Sequence, residues 1–100
     1  MSFIQIIEFS TNKVDEVQRI GNEFRDARRK TGGPAPTRVT LCRDRDRDNV
    51  FVQLVEFASY DDAMANSARP DTGEFSQRMA ALCDGPPRFV NLDVIQDETI

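Results

Sequence analysis

The residues whose types and spacing bear on chemistry are few. Glu8 and Glu56 each stand next to last in an almost identical stretch, IQIIEF at 4–9 and VQLVEF at 52–57. Two carboxylates held close raise one of their pKa values and can act as an acid–base pair. The plain alternative is that each accepts hydrogen bonds from helix N-terminal amides or pairs with an Arg. Asp44, Asp46 and Asp48 stand at the first, third and fifth spacing of a calcium loop. Asn49 replaces the turn Gly, Val55 stands where the closing Glu belongs, and Arg45 and Arg47 lie between the acids, so a solvated hairpin tip is the better reading. Arg28, Arg29 and Lys30 form a basic cluster that helix-end chemistry explains before any anion site does. The chain has no His and no Trp. That excludes a Ser-His-Asp triad, a Cys-His pair and imidazole ligation, leaving acid–base work to a shifted carboxylate, thiol, Lys or Tyr60.

The elements that must hold these residues repeat. Residues 4–10, IQIIEFS, match residues 52–58, VQLVEFA, without a gap. Each copy precedes a polar cap and a helical pattern. Two such units in 100 residues predict a split βαβ sheet with the repeated strands at its centre. Residues 3–9 read as the first strand. Asn12 reads as the cap of a helix with a stripe of Val14, Val17, Ile20, Phe24 and Ala27, stopped by Gly32, Gly33 and Pro34. Strands follow at 37–43 and 50–57. Ser59 caps a helix to about Ala68, Pro70 breaks it, and Asp71 with Glu74 suggests a capping box for a further helix with Phe75, Met79 and Leu82 on its apolar face. A last strand covers 88–95, and residues 97–100 read as frayed. The expectation is one domain, 1–100, of α+β class: ferredoxin-like βαββαβ, a four-stranded antiparallel sheet in the order fourth, first, third, second, with the helices on one face.

The net charge of −4 argues against a nucleic-acid partner. No apolar run is long enough to span a bilayer, and the first residues do not resemble a secretion signal. Cys42 and Cys83 lie in apolar contexts and read as reduced, buried thiols of a cytoplasmic protein.

Alternation splits the strands into two sets. Ile4, Ile6, Val39, Leu41, Val52, Leu54, Val90, Leu92 and Val94 are aliphatic and are expected to pack on the helices. Phe3, Gln5, Ile7, Arg38, Thr40, Cys42, Phe51, Gln53, Val55, Phe89, Asn91 and Asp93 form a mixed set expected on the open face, where a second sheet or a ligand must cover the aromatics. Glu8 and Glu56 are expected on the helix side as neighbours, on adjacent parallel strands.

This arrangement resembles the dimeric α/β-barrel superfamily, and within it the antibiotic-biosynthesis-monooxygenase-like branch. The best local match is VEFASYDDAMANSARPDTGEF at 55–75, where Glu56, Ser59, Pro70 and Phe75 fit that branch's outline. Asn66 and Asp71 stand where such proteins often carry His, and the Trp of haem-degrading and quinone-forming relatives is missing. The resemblance implies a homodimer packed sheet to sheet. Phe3, Phe51 and Phe89 would then wall a lumen in which Gln5, Gln53, Asn91, Asp93 and Thr40 make polar contacts, suited to a small aromatic ligand. It also implies cofactor-free oxygenation of a phenol or quinol, with the protein supplying a dry pocket, a base and oxyanion donors, and with no metal. Asn66 would be a donor and Arg38 would hold a phenolate; the plain alternatives are a helix-surface amide and a strand-edge charge. A non-catalytic dimeric ligand-binding or stress-type protein fits the same features. An RNA-recognition-type domain shares the strand order, and RDNVFVQL at 47–54 faintly echoes its third-strand signature through Phe51. Its other aromatic and Gly positions are not met. An acylphosphatase-like site lacks its phosphate loop at Phe9-Ser10-Thr11-Asn12.

Overall fold

The computed structural model describes residues 2–100. The elements run β1 (Phe3–Ser10), α1 (Val14–Thr31), β2 (Arg38–Arg43), β3 (Val50–Phe57), α2 (Tyr60–Ser67), α3 (Pro70–Ala80) and β4 (Arg88–Asp93). The sheet order is β2-β3-β1-β4, with every neighbouring pair antiparallel. This is the ferredoxin-like order, with its second helix divided into α2 and α3.

Local chemistry accounts for the helix ends with three corrections. In α1, Asp15 and Glu16 occupy the first turn and Arg28, Arg29 and Lys30 the last, each sign matching the helix dipole. Arg19 links Glu16 and Glu23 along the exposed face at 3.0 and 2.8 Å. The cap position is Lys13, not Asn12. The polar contact there comes from Thr11, fully buried, whose hydroxyl accepts from the Lys13 amide and donates to the Leu82 carbonyl. Gly32 closes the helix at φ 74°, and its amide reaches the Arg28 carbonyl. Ser59 caps α2 as expected, accepting from the Asp62 amide at 3.1 Å. Pro70 opens α3 rather than merely ending α2, because the first helical position needs no N–H. Asp71 therefore lies inside the first turn, Arg69 takes the cap position, and no capping box forms.

The two sheet faces are inverted from the sequence expectation. Phe3, Phe9, Phe51, Val55 and Phe57 are buried on the helix side, joined by Ile7, Val39 and Leu41 and by Val17 and Ala63 of the helices. The open face carries Ile4, Ile6, Val52, Leu54, Val90 and Leu92, together with Glu8, Arg38, Thr40, Cys42 and Glu56. Register shows why the partition failed. Val39 opposes Val55 and Leu41 opposes Gln53, so both belong with the aromatic set; Thr40 and Cys42 belong with the aliphatic one. Aromatic side chains bury the most area per residue, so the deeper helix–sheet layer takes them. Cys42 is exposed, not buried; Cys83 is partly covered.

Glu8 and Glu56 are not neighbours. β1 and β3 run antiparallel with Ile6 opposite Leu54, so Glu8 opposes Val52 and Glu56 opposes Ile4, near opposite ends of the pair. Both lie on the open face. Glu8 pairs with Arg47 at 2.6 Å, and Glu56 lies 4.0 Å from Arg38. The Arg-paired alternative holds for both.

Candidate functional site

Antiparallel pairing of the repeat separates the glutamates but brings the glutamines together. Gln5 opposes Val55 and Gln53 opposes Ile7, which makes Gln5 and Gln53 diagonal neighbours on the helix face at the centre of the sheet. Above them the helices leave a cavity of about 210 Å³. Its apolar wall is Ile7, Val39, Val55 and Phe57 from the sheet, Phe24 and Phe75 from α1 and α3, and Phe89 at β4. Phe24 and Phe75 stack on each other at 4.3 Å with their planes 12° apart, so the lining holds a paired aromatic group. The polar groups are Gln5, Gln53, Asn66, Ser67, Thr72, Ser76 and Arg25. A smaller cavity of about 100 Å³ adjoins it and shares Arg25, Val39, Gln53 and Phe75. No carboxylate, thiol or phenol is among the lining residues of the larger one.

Of the residues singled out from sequence, the cavity gathers Gln5, Gln53, Phe89 and Asn66. Phe89 is 53% exposed at the mouth. Gln5 donates to Asn91 at 3.2 Å, which orients its amide; Asn91 and Asp93 lie on the same face along exposed edge strand β4 and do not line the space. Phe3 and Phe51 are core, 2% and 3% exposed. Phe3 meets Phe57 and Tyr60, and Phe51 stacks on Phe9. The burial of Phe51 also removes the base-stacking platform that an RNA-recognition reading requires. Thr40 and Arg38 stand on the opposite face, and the Arg38 side chain is 76% exposed.

Sequence reasoning missed Arg28. It is 5% exposed, and its guanidinium lies 4.9 Å over the Phe24 ring. Nη1 donates to the Pro34 carbonyl and to Asn66 Oδ1 at 2.6 Å. Nη2 donates to Asp71 Oδ2 at 3.1 Å and to Thr72 Oγ1 at 2.9 Å. One side chain thus ties the end of α1, the loop before β2, α2 and the start of α3. Its Nε finds no partner among the described residues. Asp71 also receives Arg69 at 3.1 Å. Partial burial pushes the Asp71 carboxyl up, but hydrogen bonds from Arg69 and Arg28 outweigh it and hold the group below the usual range. The signal was present in the helix period. Four residues beyond Phe24 the inward position is 28, not 27: Arg28 is buried and Ala27 exposed.

The Asp44 cluster is satisfied within its own loop. Asp44 accepts from the amides of Asp46 and Arg47 and from the Arg47 guanidinium, so the loop is a self-capped hairpin tip. Its carboxyl is held low chiefly by the Asp46 amide, then by Arg47. Among the described residues no three His, Cys, Asp or Glu side chains group as a metal site, and no helix is long and apolar enough to cross a membrane.

Neither a protein-family model nor a curated protein matches the sequence. Solved structures do. SnoaB from Streptomyces nogalater, a cofactor-independent oxygenase, superimposes with a TM-score of 0.77 at 18% identity, covering 96% of this chain and 95% of that one. A candidate antibiotic biosynthesis monooxygenase from Caulobacter crescentus CB15 gives 0.77 at 18% identity, covering 95% and 91%. Rv0793 from Mycobacterium tuberculosis gives 0.75 at 12% identity, covering 99% and 100%. The chain therefore has the ferredoxin-like fold of antibiotic-biosynthesis-monooxygenase-like proteins, the fold that the block at 55–75 suggested.

Proposed function

We propose that the protein binds a small aromatic molecule between its sheet and helices and oxygenates it without a cofactor, the substrate being a phenol or quinol. The observation that carries this reading is the cavity itself: a stacked aromatic pair and a set of amide and hydroxyl groups line one space over the Gln5–Gln53 pair. Its volume of about 210 Å³ exceeds the roughly 150 Å³ that holds benzene in an engineered core, so one or two fused rings fit. The cofactor-independent oxygenase among the structural neighbours supports the same reaction class.

The chemistry asks little of the protein. An ionised phenol is electron-rich at its ring carbon. That carbon passes an electron to dioxygen, the radical pair joins as a carbon-bound peroxide, and loss of water leaves the quinone carbonyl. One C–H and the phenolic O–H are consumed, and O2 supplies both the new carbonyl oxygen and the oxygen of the water. The chain's part is to hold the ring against Phe24 and Phe75, exclude water, and stabilise the phenolate oxygen with donors such as Asn66. With no carboxylate or thiol lining the space, the phenolic proton goes to solvent as the substrate enters. The base expected from sequence has no counterpart in the cavity lining.

The site is proposed to sit inside each chain rather than in a lumen between chains. The open aliphatic face, with Ile4, Ile6 and Leu54 half-covered and Leu92 40% exposed, then serves a homodimer, as two such faces pack across about 10 Å. Oxygen uptake on a panel of phenols and quinols tests the reaction. Protein-dependent uptake that Asn66→Ala lowers by about tenfold or more, with the fold retained, is the expected result. A panel that consumes no oxygen above the uncatalysed rate overturns it. Light scattering tests the assembly: a particle of twice the 11.3 kDa chain mass is expected.

A further inference from the structure

A side chain that only donates dictates the orientation of whatever it touches. Arg has five N–H donors and no acceptor. The atom of Asn66 facing Arg28 at 2.6 Å is therefore the carbonyl oxygen, and the amide cannot be turned over. The NH2 group of Asn66 is left to face elsewhere. It has no acceptor among the described residues, it is not a sealed buried atom, and Asn66 lines the cavity. Thr72 obeys the same rule. Its Oγ1 accepts from Arg28 at 2.9 Å, so its own O–H must be given to another group, and Thr72 lines the same cavity. Arg25 adds a positive charge to the lining, and no carboxylate opposes it. An amide and a hydroxyl, each able to donate or accept in water, are thus both turned into donors towards one space.

We propose that Arg28 is a positioning residue: by holding Oδ1 of Asn66 and Oγ1 of Thr72 it directs the Asn66 NH2 and the Thr72 O–H into that end of the cavity as a donor pair, selective for the ionised oxygen of an aromatic ligand over its protonated form. This deepens the phenol reading and rests on it for the class of ligand. A neutral phenol oxygen accepts weakly from these donors, whereas a phenolate takes charge-assisted hydrogen bonds from both and faces the Arg25 charge. Asp71 serves by neutralising Arg28 from behind, at 3.1 Å, without entering the cavity. The unpartnered Nε of Arg28 fits a side chain whose placement is set by the four groups its terminal nitrogens hold.

The test uses the full chain and 4-nitrophenol, whose ionised and neutral forms absorb at different wavelengths. Binding to the wild-type protein is expected to lower the probe's apparent pKa by about one unit, a tenfold preference for the anion. Asn66→Asp keeps an oxygen facing Arg28, and with it the fold, but turns an acceptor towards the cavity. It is expected to weaken phenolate binding by about ten- to a hundredfold with an undiminished melting temperature. Thr72→Val is expected to lose a smaller part. Arg28→Met, where it still melts cooperatively, should bind both forms of the probe alike; should it fail to fold, Asn66→Asp decides. Wild-type protein that binds no nitrophenolate or prefers the neutral phenol, or Asn66→Asp protein that binds the anion as tightly as wild type, overturns the proposal. Oxygen uptake is read separately. Anion selectivity without turnover leaves this inference standing and removes the oxygenase, whereas turnover without selectivity does the reverse.

Discussion

The two faces of the sheet are equally apolar at a glance and differ in what they are made of. The helix face is aromatic and carries the amides; the open face is aliphatic and carries the ion pairs. Phe3, Phe9, Phe51 and Phe57 fill the layer under the helices, and the gap they leave is lined by Gln5 and Gln53. On the other side Ile4, Ile6, Leu54 and Val90 form an aliphatic patch flanked by Glu8–Arg47 and Arg38–Glu56. The difference teaches that polar residues inside a sheet pattern do not mark the solvent face. Here they mark the place where helix packing is incomplete and a ligand has room.

The comparison can be broken first at the core. Phe51→Ala is expected to cost about 3–5 kcal/mol in urea unfolding; a loss below about 1 kcal/mol would put Phe51 on the wrong face. On the open side, Leu54→Lys is expected to leave the monomer folded and halve the particle mass in light scattering, since a buried unpaired charge is not tolerated between two apolar sheets. An unchanged mass would move the partner surface elsewhere. A third test concerns the polar knot behind the cavity. The Asp71 carboxyl is depressed by Arg69 and Arg28, so its contribution is present above the ordinary carboxylate range and is lost as pH falls through its lowered folded value. Wild type should lose stability below about pH 4 more steeply than Asp71→Asn, as read by urea midpoints across pH; parallel curves would show that the pairing contributes nothing. The thiols give a smaller effect. Cys42 is exposed on the open face, whereas burial, then Asp84, raises the Cys83 thiol. Alkylation should reach Cys42 first at high dilution, and its rate should fall with protein concentration as the face becomes covered. The smallest effect is expected at Arg38, whose pairing with Glu56 at 4.0 Å is solvent-exposed. Arg38→Ala should change stability by no more than about 0.5 kcal/mol and leave ligand binding unaltered.

The legible part of the candidate site was a few of the residues that line the cavity, and the illegible part was its location. Gln5, Gln53 and Phe89 were singled out by strand alternation and Asn66 by the family resemblance, and all four line the cavity. Thr40 and Arg38 entered the same group because alternation gives the spacing within one strand but not the phase between strands. Arg28 was hidden among three helix-end cations; one residue of helix phase separates a buried guanidinium from a solvated one.

By itself the sequence determined the elements, their order and the sheet topology. Each rests on short-range physics: the two-residue strand period, the helix stripe, the Ser59 cap, the Gly32 stop and the repeat that puts β1 and β3 at the centre. Only the tertiary structure decided which face the helices cover, the register of the repeated strands by which the glutamines meet and the glutamates part, and that Arg28 turns inward to fix Asn66. Those choices depend on how much area each face buries against a distant partner and on which donors find acceptors across 38 residues of chain, and no local pattern encodes either.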